Sequence, residues 1–134
     1  MNNYPHKKPL LSVSAESVST EQTGTAYRVS TSENDEVSSD DQDFKVFFHT
    51  EQTGGVTNPT VQAHLQTSWD KVNWATVASS TQLTADGAND EVRPVQAVGL
   101  FVRVVTQLGG DIRPSHKVEA ILVSNGRFKI KKVV

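Results

Sequence analysis

Trp69, Asp70 and Trp74 lie close together in VQAHLQTSWDKVNWATVA, within a chain that is only 7% aromatic. Indoles beside a carboxylate can bind sugar. The rings stack on the apolar face of a pyranose, while Asp70 and Gln66 bond its hydroxyls. The same residues can instead fasten a hairpin. Asp bonds the backbone amides of a turn, and buried aromatic rings dominate the packing of a small β domain. Alternation from Val61 puts Trp69 on the apolar face with Leu65. We therefore expect Trp69 and Trp74 as hairpin or core anchors, with Asp70 capping the turn between them.

Other chemistry-bearing residues form weaker patterns. His6, His49, His64 and His116 show no metal-ligand spacing. His49 and His64 fall on neighbouring strand candidates and could face each other, although solvent-facing positions are the plainer expectation. Glu33, Asp35, Glu36, Asp40, Asp41 and Asp43 form an acidic run, and Asp86, Asn89, Asp90 and Glu91 a second cluster. Calcium needs six to eight oxygens. Neither cluster has the alternating spacing of a calcium loop, so solvated loops are expected. No G-x-S-x-G elbow or phosphate-cradling glycine loop occurs. With no cysteine, thiolate catalysis and sulfur-based zinc sites are excluded. We assign no catalytic residue, metal or cofactor, and expect no enzyme.

These residues must be carried by strands. The 134 residues are 36% hydrophobic and 21% charged, with net charge −2. That length suits one domain, and the balance excludes the basic excess of a nucleic-acid binder. MNNYPHKKPL has no apolar run behind its lysines, so no signal peptide is expected. No stretch approaches the roughly 20 apolar residues of a membrane span. Leu10–Val18 and Gly24–Val29 alternate weakly. Phe44–His49 is rich in aromatic and β-branched residues suited to a pleated surface. Val61–Ser68 alternates, Trp74–Ala78 follows a short turn, and Asp86-Gly87 marks another turn. Leu100–Leu108, Val118–Val123 and Arg127–Val134 complete the set, with Asn125-Gly126 reading as a hairpin turn between the last two. About eight strands with turn signals between them predict an all-β, single-domain antiparallel β-sandwich or jelly roll. An N-terminal arm (1–9) precedes the sandwich (10–134), which carries an acidic loop near 30–43 and a basic C-terminal strand, 127–134.

One partial motif fails on spacing. The Asp-box of sialidase-like propellers, S-x-D-x-G-x-x-W, is matched at Ser68 and Asp70. Val72 stands at its glycine, and Trp74 arrives one residue early.

TVQAHLQTSWDKVNWATVA, LTADG and LFVRVVTQLGG together resemble a pattern of small jelly-roll structural proteins of tailed bacteriophages. There, a strand V-x-x-x-L-Q-x-S runs into a turn D-G-x-x-W, and a later strand Y-V-R-V precedes a glycine pair. Val61, Leu65, Gln66, Ser68, Asp70 and Trp74 match the first part. Phe101, Val102, Arg103, Val104, Gly109 and Gly110 match the second. Lys71 replaces the glycine after the aspartate. The resemblance covers roughly residues 44–123. It implies a non-enzymatic virion protein, made in the host bacterial cytoplasm, that decorates or cements the capsid by bridging its subunits. The alternatives are a neck, tail or fibre accessory, or a carbohydrate-binding sandwich module. The implied partners are the major capsid protein or other virion proteins, in a homo-oligomer such as a trimer, with no nucleic acid or membrane.

Candidate subunit contacts lie at both ends. Arg127, Lys129, Lys131 and Lys132 alternate with Phe128 and Ile130, giving one basic and one apolar face. Lysines on such a strand protect a sheet edge. The strand, or the arm with Lys7 and Lys8, could instead extend a neighbour's sheet.

Overall fold

The computed structural model describes residues 6–18, 21–31, 44–54, 57–95, 99–110, 114–124 and 128–132. They form β1 (His6–Val18), β2 (Tyr27–Thr31), β3 (Phe44–Thr53), β4 (Thr60–Ser68), β5 (Ala75–Ser79), β6 (Gly87–Val95), β7 (Phe101–Gly109), β8 (Ser115–Ser124) and β9 (Phe128–Lys132). No described residue is helical, so no described helix is long and apolar enough to cross a membrane.

Alternation explains the layers. In β3, Phe44, Val46, Phe48, Thr50 and Gln52 are buried, while Lys45, Phe47, His49 and Glu51 face outward. In β7, Val102, Val104, Thr106 and Leu108 turn inward. Successive strand residues point to opposite faces, so each sheet has one apolar side to cover. Two antiparallel sheets do this for each other, in the orders β1-β8-β3-β6 and β5-β4-β7-β2-β9. The core between them includes Leu10, Val29, Phe44, Val46, Phe48, Leu65, Val102, Val104, Val118 and Leu122.

The pairing is nested. β1 pairs with β8, β2 with β7, β3 with β6 and β4 with β5, all antiparallel. A long hairpin rolled so that β3 meets β8 and β4 meets β7 is a jelly roll. β9 adds a further edge beside β2. His116 of one sheet and Thr106 of the other meet across the interior at 3.1 Å, and Thr106 Oγ1 accepts from the Gln22 N–H. His116 and Thr106 are thereby paired although nearly inaccessible.

Several expectations are corrected. The described residues form nine strands, in keeping with the about eight expected, and the one that the sequence pattern did not mark is β6. Apart from the buried Val95 at its end, its inward positions hold Asn89, Glu91 and Arg93, which bond one another and Thr81, so it lacks an apolar stripe. Asn125-Gly126 lies outside the described residues. The strands flanking it belong to opposite sheets, so they form no hairpin. His6–Pro9, expected within an arm, pairs with Ser124–Ile121. Residues 1–5, the acidic run 33–43 and Arg127 lie outside the described residues.

Candidate functional site

The hairpin between β4 and β5 ends in a turn over residues 69–74, built around Ser68 and Asp70. The buried Ser68 Oγ donates to Asp70 Oδ1 at 2.9 Å and accepts from the N–H groups of Asp70 and Lys71. Asp70 Oδ1 also accepts from the N–H groups of Val72 and Asn73, each at 2.8 Å, and Oδ2 accepts from Asn73 Nδ2 at 2.9 Å. The Asn73 and Val72 amides hold the Asp70 carboxyl well below the usual carboxylate range, aided by the Asn73 side chain and the Ser68 hydroxyl. Asp70 therefore caps the turn. Lys71, where the resembled pattern has glycine, takes the left-handed conformation at φ 64°.

The two tryptophans part company. The Arg103 guanidinium lies 4.1 Å from the centroid of the half-buried Trp74 ring, whose Nε1 donates to the Lys71 carbonyl. Arg103 Nε also donates to Gln66 Oε1 at 2.9 Å. Trp74 thus ties the turn to β4 and β7. Trp69 does not enter the core and is 64% exposed, while its neighbour in the turn, Val72, is 76% exposed. The burial alternation that would place Trp69 inward breaks after Leu65, with Thr67 half-buried and Ser68 buried, and the strand itself ends at Ser68. Thr67 and Gly99 brace the base of the tip. Thr67 Oγ1 donates to the Phe101 carbonyl and accepts from the Gly99 N–H. A Cβ at Gly99 would lie 2.7 Å from the Ser68 carbonyl oxygen, so only glycine lets the chain pass here.

The remaining candidates lie elsewhere. β3 and β4 belong to different sheets, so His49 and His64 point from opposite outer faces and do not meet. His49 Nδ1 lies 2.6 Å from Asp90 Oδ1, and the hydrogen bond to Asp90 raises the imidazole pKa. His64 lies between Ser79 Oγ at 2.7 Å and Gln107 Oε1 at 2.9 Å. This row imitates a Ser–His pair, but it stands on an open sheet face.

The second acidic cluster is dispersed. Asp86 accepts from the Gly54 N–H and Gln52 Nε2, Asp90 faces His49, and Glu91 holds Thr81, Asn89 and Arg93. Among the described residues, no group of three or more His, Cys, Asp or Glu could hold a metal ion.

Both segments expected to reach a neighbouring subunit pair within their own chain. Lys7 and Lys8 lie in β1, and Lys8 Nζ sits 5.2 Å from the centroid of the Tyr27 ring. Phe128, Lys129, Ile130, Lys131 and Lys132 pair with Thr31 to Tyr27 at the sheet edge. The site that sequence reasoning missed is the outer face of the four-stranded sheet. Phe47, 44% exposed, is flanked there by Val92 and Ile121. The apolar Phe47 inside an alternating strand was the available signal.

No protein-family model matches the chain, and no curated protein sequence matches it.

Proposed function

We propose that this protein is a non-enzymatic structural jelly roll of a tailed-phage particle, acting as a decoration or cement subunit that adheres through the β4–β5 tip. One observation carries the adhesive reading. Trp69 and Val72 are exposed on a turn braced by Ser68 and Asp70. Large apolar side chains on an ordered turn suit insertion into a partner's surface, because little conformational freedom is lost on binding. Many copies on a symmetric shell would multiply a modest contact. The phage assignment is supported by the resemblance, whose two parts meet in the fold. Gln66 and Trp74 come from the first part, and Arg103 from the second.

Incorporation of Trp69→Ala tests the reading. Loss of the folded variant from purified particles, while wild-type protein is retained, is the expected result. Equal incorporation sinks the tip as the contact.

The exposed Trp69 also favours a second reading, a carbohydrate-binding sandwich. Arg103 covers one face of the half-buried Trp74, so Trp69 is the more accessible platform. A sugar-dependent shift of Trp69 emission that disappears in Trp69→Phe supports this reading. An unresponsive indole across a glycan panel removes it.

A further inference from the structure

The outer face of the four-stranded sheet is ordered in rows. Pairing sets Lys45 between Pro94 and Val123, Phe47 between Val92 and Ile121, and His49 between Asp90 and Glu119. Of these three rows the first carries a cation, the middle one is apolar, and the third carries two carboxylates around an imidazole; the next row pairs Glu51 with Lys117 and so carries no net charge. Successive rows lie about 6.8 Å apart, the rise of two residues along a strand. Phe47 and Val92 are 44% and 46% exposed. They line a shallow depression of about 380 Å³ together with Ile121, His49, Asp90 and Glu119. Side chains of this size in one row form a contiguous apolar patch, which marks an interaction surface more often than scattered apolar residues do.

We propose that this face binds a second copy of the same chain, forming a two-fold dimer of stacked sheets. The charge order points to this occupant. A two-fold axis running along the apolar row turns each face over onto its copy. Val92, Phe47 and Ile121 then meet the same row of the partner. The same rotation brings Lys45 over the partner's acidic row, between the carboxylates flanking its His49, and the reciprocal contact forms at once. A face with both charged rows of one sign would repel its copy. The size is adequate. Four strands about 4.8 Å apart and about nine residues long project roughly 570 Å². That projection matches the low end of stable interfaces, about 600 Å² per partner. The inference does not depend on the phage reading, since it concerns the chain's contact with itself.

Sedimentation equilibrium on the full chain tests it. The expected result is a monomer–dimer equilibrium. Phe47→Glu should weaken it by about a hundredfold, by burying a charge in the apolar row. Lys45→Glu should weaken it by at least about tenfold. The triple variant Lys45→Glu, Asp90→Lys, Glu119→Lys exchanges the two charged rows and should restore most of the affinity. Phe47 and Lys45 point away from the core, and unchanged circular dichroism and melting would confirm intact folding. Val92→Glu repeats the Phe47 test on the edge strand should Phe47→Glu fail to fold. A wild-type chain that stays monomeric at high micromolar concentration overturns the proposal. So does a dimer unaffected by Phe47→Glu and Val92→Glu, or a Lys45→Glu defect that the row exchange does not repair.

Discussion

Arg103 lies over Trp74, its guanidinium carbon 4.1 Å from the ring centroid, and joins residues that the sequence separates widely. The same guanidinium bonds Gln66, so one side chain holds β4, β7 and the turn at 69–74 together. Replacing Arg103 with Ala should cost about 1–2 kcal/mol, from the lost cation–π contact and hydrogen bond. Arg103→Lys should recover only part of this, because an ammonium lacks the planar fork. Urea denaturation of Arg103→Ala, Trp74→Ala and the double variant measures the coupling. Additive losses would show that the stacking contributes nothing.

Asp70 makes the tip sensitive to acid. Its folded-state pKa is depressed by the Asn73 and Val72 amides. The stability it contributes is therefore present above the unfolded value of about 3.9 and lost as pH falls through the folded value. Asp70→Asn should be less stable than wild type at neutral pH, and the gap should narrow below about pH 4. Melting temperatures across that range check this. A gap that stays constant would mean that the charge on Asp70 plays no part.

Lys71 occupies a backbone conformation that glycine adopts more readily. A left-handed residue with a side chain costs about 1–2 kcal/mol, offset by about 0.5–1 kcal/mol for the greater freedom of unfolded glycine. Lys71→Gly should therefore stabilise the protein by roughly 0.5 kcal/mol. Lys71 Nζ also lies 5.4 Å from the centroid of the Phe101 ring. A loss of stability on substitution would mean that this contact outweighs the backbone strain.

His49 should titrate above its ordinary pKa, because its hydrogen bond to Asp90 favours the protonated ring. Its contribution to stability is fully present below the unfolded pKa of about 6.5 and lost as pH rises through the higher folded value. NMR titration should place the His49 midpoint above that reference and show it falling in Asp90→Asn. An unchanged midpoint would remove Asp90 as the cause.

The alternation of Phe44–His49 and Val61–Ser68 made the sandwich legible, because burial on one face imposes a period of two. β6 was not legible. Its inward Asn89, Glu91 and Arg93 satisfy one another at a sheet edge, where no apolar stripe is required. Asp70 was readable as a turn cap from its residue type alone. Trp69 was misplaced because the burial alternation breaks after Leu65 and β4 stops at Ser68. The outer row of Val92, Phe47 and Ile121 depends on register between three strands, which no local pattern encodes. Asn125-Gly126 carries a local preference for a hairpin, but long-range pairing places β8 and β9 in opposite sheets.

The most direct test of the structural role is the copy number of this chain in purified particles from its source, measured by quantitative mass spectrometry against the major capsid protein. The expected result is a ratio near one, or another ratio fixed by capsid symmetry. A few to a few dozen copies would contradict decoration and move the protein to the neck, tail or a fibre. Complete absence from particles would contradict the virion role itself and leave the carbohydrate-binding reading of Trp69.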